Sequence, residues 1–366
     1  MIPIFVEASY ANSIWCRKLI EGLVAELKLK RLAFRFIESV EELDAAYRHI
    51  YVVGTSAEWV RSVLEASIQC GVYPILLCNQ VFHEFGMSYS AVCSDTSDSM
   101  KYLVDTLKNA GRHTIALYGV NPQSVSDESR EKAFLVAMQL EDCEDVFINN
   151  GSLESCYADY RSRSKKYHAI ICANDFAAIS LVRNLLRDDP EGLEKLLVIG
   201  CAETWLTDYY NKYVLSIRVN FLEYGRAAVM LLENLCRNPA LSHIIMAIRW
   251  EFNSLASHKK LQGQWESVQS QPTISQSKDT FYSDPELHDM LRVERLLNVC
   301  DRVDKDILQH LIAGESYEII AERCFVTVST IKYRVKKMMS ISQTASRGEL
   351  IHLVREYIPE YWQAGS

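Results

Sequence analysis

HAIICANDFAAI, His168 to Ile179, changes its pattern halfway along. His168 to Ala173 is a short apolar run with two adjacent isoleucines, the signature of a strand buried on both faces. From Asp175 the chain continues as DFAAISLVRNLLR, whose apolar residues return at helical spacing. A buried strand leading directly into an amphipathic helix is the repeating unit of a parallel sheet covered by helices. Asp175 opens that helix, where a carboxylate is favoured by the helix dipole whatever else it does.

The same unit recurs on both sides. Before it the strand candidates are Ile2 to Val6, Ala33 to Ile37, Ile50 to Gly54, Tyr73 to Cys78, Thr114 to Gly119 and Asp145 to Asn149. After it come Leu196 to Cys201, Val214 to Val219 and Ile244 to Trp250. Helix patterns such as NSIWCRKLIEGLVAELK, EWVRSVLEASIQCG and SMKYLVDTLKNAG lie between them. Gly71 and Gly111 close two of these, as suits a left-handed cap. So many strands exceed one comfortable sheet, and the expectation is two α/β lobes. Ligands in such folds sit beyond the carboxyl ends of strands, here in the cleft between lobes.

Bulk properties narrow the class. The chain has 366 residues, 49% hydrophobic and 23% charged, with a net charge of −8. That suits a globular protein of two or three domains. The eleven cysteines are scattered without Cys-x-x-Cys pairs, and most sit in apolar runs, as small core residues do. No metal-ligand spacing, nucleophile–base pair or phosphate loop appears, so neither a metal, a cofactor nor an enzyme activity is expected. MIPIFVEASY lacks the basic region and long apolar core of a signal peptide, and no apolar run approaches membrane-spanning length. A cytoplasmic protein without membrane contact is expected.

Five motifs in order then carry a resemblance. SDTSDSMKYLVDTLKNAGRHTIALYG holds Asp95 before a helix, then Gly111 and Arg112-His113 before a strand. Arg130-Glu131-Lys132-Ala133-Phe134 follows, with Ala133 at a usual glycine. Asn174, Asp175 and Ala178 come next, then LLVIGCAET with Ala202 or Glu203 at a usual aspartate, then Gly225 and Ala228 in NFLEYGRAAVMLL. Together they resemble the effector domain of LacI/GalR-type repressors, relatives of periplasmic sugar-binding proteins. The resemblance implies a two-lobed periplasmic-binding-protein-like sensor over residues 1–256, with crossovers between lobes near 95, 220 and 242. It also implies ligand contacts from Arg130, Asp175, Asn79 and Glu203. Arg130 would hold polar or anionic groups with its donor fork. Tyr10, Asn12 and Trp15 follow the first strand and could form an aromatic wall, although Trp15 suits the core equally.

Residues 257–284 are rich in Gln, Ser and Lys and read as a linker. From Pro285, PELHDMLRVERLLNVCDR forms a helix with a broad apolar side, suited to opening a domain or to dimerisation. Further on, SYEIIAERCFVTVSTIKYRVKKMM, Ser316 to Met339, reads as two helices joined by a tight turn. Ile319, Ile320, Ala321 and Cys324 give the first an apolar face. Thr327 suits the N-cap of the second, whose Ile331, Val335, Met338 and Met339 share one side. From Arg323 to Arg347 the segment is basic and holds no Asp or Glu. Such charge fits a solvated helix face, or a recognition helix on DNA.

The elements ILQHLIAGES, Ile320-Ala321, Thr327-x-x-Thr330-Ile331-Lys332 and Arg347-Gly348-Glu349-Leu350 resemble the LuxR-type DNA-binding domain. Ile319, Thr327 and Arg334 depart from that family's usual Glu, Ser and His. The resemblance implies a small all-α helix-turn-helix domain over 285–366, with double-stranded DNA contacted by Thr327, Ser329, Thr330, Lys332, Tyr333, Arg334, Lys336, Lys337 and Arg347. LacI-type repressors carry their DNA-binding domain at the other end, so the two families are joined here in an unusual order. The resulting expectation is a homodimeric, ligand-responsive transcription regulator, its effector a sugar, nucleoside or similar metabolite. The alternative is a regulator whose sensor has become a dimerisation or protein-interaction module.

Overall fold

The computed structural model describes residues 1–11, 13–78, 81–82, 85–140, 144–163, 165–201, 204–238, 240–252 and 284–358. Its first sheet holds β1 (Ile2–Val6), β2 (Phe34–Ile37), β3 (His49–Val53), β4 (Tyr73–Leu77), β5 (Ser90–Ser94) and β11 (Ile245–Ile248). The strand order is β11-β5-β4-β3-β1-β2. The second sheet holds β6 (Ile115–Val120), β7 (Val146–Ile148), β8 (Ala169–Cys172), β9 (Leu197–Cys201) and β10 (Val214–Ile217), in the order β10-β9-β8-β6-β7. Every pairing within both sheets is parallel. The protein therefore has two parallel-sheet α/β lobes, as the strand–helix alternation requires. β5 escapes a reading by hydrophobicity because Ser90-Ala-Val-Cys-Ser94 is short and built of small residues, although it is almost wholly buried.

Helices cover both sheets. They are α1 (Ile14–Leu29), α2 (Ala57–Gln69), α3 (Thr96–Asn109), α4 (Val125–Met138), α5 (Leu153–Ser162), α6 (Asp175–Asp188), α7 (Pro190–Lys195), α8 (Trp205–Asp208) and α9 (Phe221–Arg237). The N-caps of α3, α4, α5, α6 and α9 are Asp95, Ser124, Ser152, Asn174 and Asn220, each accepting a backbone N–H from the first turn. In the first lobe α1 and α9 cross closely because Gly22 faces Leu222 and Gly225 faces Gly22 and Leu23. A Cβ at Gly225 would fall on backbone atoms of α1, which explains why this helix carries a glycine in its middle.

The chain passes from the first sheet to the second after Ser94 and returns through residues 218–220 into α9. Near 242, where a third crossover is expected, it stays with the first lobe, because β11 pairs with β5. That passage comes later: Glu251 forms an antiparallel bridge with Arg218, and Asp95 N donates to Ile248 O at 2.9 Å. The three connecting segments thus lie side by side. They leave from the carboxyl ends of β5, β10 and β11, so the two sheets face each other by those ends.

Five further helices follow: α10 (Pro285–Val299), α11 (Arg302–Ile312), α12 (Tyr317–Arg323), α13 (Val328–Ile341) and α14 (Arg347–Tyr357). Asp284 caps α10, with Pro285 in its first turn. Thr327 caps α13 by accepting from Thr330 N. Ile331, Val335 and Met338 are buried on one side of α13. Ile319 departs from the expected apolar face of α12 and is 44% exposed, leaving Ile320 and Ala321 to make the contact. The apolar side of α10 is spent within the chain: Leu287, Met290, Val293 and Leu296 are buried in one cluster with Leu206 and Tyr210 of the second lobe and Ile331 and Leu350 of the helical domain. The linker expected at 257–284 lies outside the described residues apart from Asp284.

Candidate functional site: the interlobe cleft

On the first lobe the cleft begins where β1 ends. Glu7 is buried there, and its carboxylate accepts from Thr55 N at 2.9 Å, Ser56 N at 3.1 Å, Ser9 Oγ at 3.0 Å and the Ser56 hydroxyl. It fixes the loop after β3, a role no motif in the sequence marks. Tyr10 and Trp15 follow, both half-buried, with ring centroids 6.0 Å apart. The aromatic run continues from Trp15 to Phe221 and from Phe221 to Tyr224 of α9. Trp15 also packs against the hydrophobic core. Asn12, Asn79 and Glu203 lie outside the described residues.

The second lobe presents Arg130 from α4. Its Nη1 donates to Asp127 Oδ1 at 2.6 Å, and Asp127 Oδ2 in turn accepts from Asn121 N at the end of β6. The pair is well shielded, and Arg130 lies near Cys201 at the end of β9. Burial pushes the Tyr224 phenol well above its ordinary range, while the Arg130 charge acts on it in the opposite sense. Side chains of the two lobes therefore approach each other here. Arg130 lies within hydrogen-bonding reach of Cys201, and the Tyr224 phenol within reach of Ser94.

Asp175 lies at the carboxyl end of β8, where the sequence suggests it, but its oxygens are occupied. Oδ2 accepts from Thr204 N and Thr207 Oγ1, both at 2.8 Å, and Oδ1 accepts from Ser216 Oγ at 2.7 Å. The residue is fully buried, and burial raises its carboxyl above the ordinary range against those hydrogen bonds. A Cβ at position 200 would collide with Oδ1, so Gly200 in LLVIGCAET makes room for this carboxylate. Asp175 thus ties β9, β10 and the segment entering α8 together.

The helical domain reaches the same segment from the other side. Glu294 of α10 accepts from Trp205 N at 2.7 Å and Leu206 N at 2.6 Å. It is buried, and that burial pushes its carboxyl up to about 7, despite the two backbone donors. Asp284 accepts from Leu153 N, and Glu286 binds Ser180 and Arg183. Tyr210 donates to the carbonyl of Tyr357 at 2.7 Å.

The residues expected on DNA divide into two groups. Arg334 Nη1 donates to Asp301 at 2.9 Å and Asp304 at 2.7 Å, and both bonds raise its already high pKa. Arg347 donates to the carbonyl of Glu315 and stacks on Tyr317. Ser329, Lys332, Tyr333, Lys336 and Lys337 are exposed along α13, and Thr327 and Thr330 share a hydroxyl contact at its start. Among the described residues no ion pair holds Lys332, Lys336 or Lys337. No group of His, Cys, Asp and Glu among the described residues is arranged to hold a metal ion, and no described helix is long and apolar enough to cross a membrane.

Comparison with known proteins places this geometry. Residues 104–250 match the periplasmic binding protein-like domain family. A transcription regulator from Lactobacillus plantarum aligns over 68% of this chain and 97% of its own, at 14% identity and a TM-score of 0.51. A LacI family regulator from Enterococcus faecium with bound ribose aligns over 69% and 97%, at 17% identity and a TM-score of 0.52. One from Weissella paramesenteroides with bound sucrose aligns over 68% and 95%, at 19% identity and a TM-score of 0.51. No curated protein matches the chain. At these identities the likeness is one of fold.

Proposed function

We propose that the chain is a transcription regulator whose two lobes close on a small carbohydrate-like metabolite, altering how its C-terminal helices bind double-stranded DNA. The observation that carries this reading is the meeting of the buried Arg130 guanidinium and Tyr224 phenol with the half-buried rings of Tyr10 and Trp15, between lobes that meet by their carboxyl ends. A polyol offers acceptors to such donors and an apolar face to such rings. Structural neighbours with bound ribose and sucrose support that ligand class. On DNA, Lys332, Lys336 and Lys337 would neutralise phosphates, while Ser329, Thr330 and Tyr333 at the exposed start of α13 would meet base edges. Arg334 and Arg347 would instead hold the helices in place. Two recognition helices at fixed spacing would come from a homodimer.

The test is a thermal-shift series with ribose, glucose, sucrose and cellobiose on wild type and Arg130→Ala. A sugar that raises the melting temperature of wild type by several degrees, and of the variant by none, supports the reading. Stabilisation that survives the substitution would remove Arg130 from the site. A second reading is favoured by the full internal occupation of Asp175: a sensor lobe that has kept its architecture as a protein-interaction module. Absence of any shift across the series, with DNA binding retained, would favour it.

A further inference from the structure

Three consecutive backbone N–H groups are held from opposite directions. Thr204 N points to Asp175 of the second lobe, and Trp205 N and Leu206 N point to Glu294 of the helical domain. Thr207 adds its hydroxyl to Asp175 and shares a hydrogen bond of 2.7 Å with Thr204 Oγ1. The segment belongs to the second lobe, leaves from the end of β9 and borders the cleft. It is too short to move one N–H without its neighbours, because each peptide plane is rigid and consecutive planes share a Cα. Asp175 and Glu294 cannot both keep their bonds if the segment shifts.

We infer that the Thr204–Thr207 segment, clamped between Asp175 and Glu294, is the coupling element through which the conformation at the cleft sets the docking of the helical domain on the second lobe. The inference rests on the proposed sensor–DNA reading for its biological meaning, although the coupling itself requires neither ligand nor DNA. It gives Asp175 a positioning role: the residue acts on the helical domain through the segment it holds. It also supplies a route that suits a DNA-binding domain at the C-terminal end, where the connecting strands at 95, 218 and 251 do not lead. By reciprocity, a change that loosens the helical domain must loosen the Asp175 end by the same factor.

Amide-resolved hydrogen exchange on the full chain, without ligand or DNA, tests this. Thr207→Val removes one hydroxyl at nearly constant volume and leaves Glu294 untouched. The Trp205 and Leu206 amides, which donate to Glu294, should then exchange about tenfold faster, as should amides of α10. In Glu294→Gln the Thr204 amide, which donates to Asp175, should accelerate by a similar factor. Tyr167→Phe, which loses a buried hydrogen bond to Asp145 in the same lobe, should leave α10 unchanged. The inference is overturned if Thr207→Val accelerates only its own surroundings while the Glu294-bound amides and α10 stay protected. It is equally overturned if Tyr167→Phe loosens α10 as much as Thr207→Val does. Either result carries the same meaning whether or not the cleft binds a sugar.

Discussion

The two lobes share a fold plan and differ in what they do with their outer surfaces. The outer core of the first closes on itself around α2, while its inner core, with α1 and α9, runs on into α3, α4 and the sheet of the second lobe. The second does not close on itself. Its outer apolar cluster runs without a break from Tyr118 and Leu181 into Leu287, Leu308, Ile331 and Leu350 of the helical domain. Two lobes that look equivalent in the sheet diagram are therefore unequal in mechanics. A displacement of the second lobe carries the C-terminal helices with it, and one of the first reaches them through the shared inner core and the three connecting segments.

The sharpest way to break the comparison is to damage each lobe separately. Gly225→Val would drive a side chain into the backbone of α1 and should destabilise the first lobe by about 4 kcal/mol or more, since neither helix can yield without losing the other's packing. Proteolysis of the first lobe should then outpace that of the helical domain. Leu296→Ala removes a fully buried contact at the seam of the second lobe, at a cost of about 3 kcal/mol. Near-ultraviolet dichroism and exchange at α10 should register that loss, while α1 and α9 stay protected.

A smaller effect should follow pH. Glu294 has its carboxyl raised from 4.5 to about 7 in the folded chain, with Asp175 and Asp208 adding to the effect of burial. The folded state therefore holds a proton that the unfolded state releases more readily. No penalty is present below about pH 4.5; it grows as pH rises and is complete above about pH 7, reaching at most about 3 kcal/mol. Docking of the helical domain should be firmer at pH 5.5 than at pH 8. In Glu294→Gln this slope should flatten, which denaturant titrations at the two pH values would measure. Smallest for stability is Lys336→Ala, expected within about 0.5 kcal/mol. Its effect belongs on DNA, where the slope of log affinity against log salt should fall by about one.

Much of the fold is legible in the sequence because buried parallel strands are written as continuous apolar runs, as in Ala169-Ile-Ile-Cys172. β5 is not, because its small residues carry no such signal. The third crossing is misplaced near 242, because an apolar run does not say which sheet it joins. Thr327 can be read as a cap because a hydroxyl before a helix has one common use. The site is less legible. Arg130 stands out by its motif, yet its pairing with Asp127 and its approach to Cys201 appear only in the fold. Glu7 and Glu294 look like ordinary charged residues, the latter on the polar side of an amphipathic helix. What makes them matter is burial against backbone donors far away in sequence, which no local pattern records.

The return of β11 to the first sheet has a consequence for how the protein is made. β5 is an inner strand of the finished sheet, but its outer neighbour is some 150 residues downstream by sequence numbering (Ser90–Ser94 against Ile245–Ile248). During synthesis the first lobe must therefore wait with an open edge on β5 until the second lobe and α9 have emerged. Late, long-range pairing of this kind slows folding and leaves a strand edge available to other chains. The second lobe, continuous from β6 to β10, can form in the meantime. The nascent chain should thus begin its later-encoded lobe before completing its first, and apolar surface should stay open until the helices from Pro285 to Tyr357 have followed Ile248 out of the ribosome.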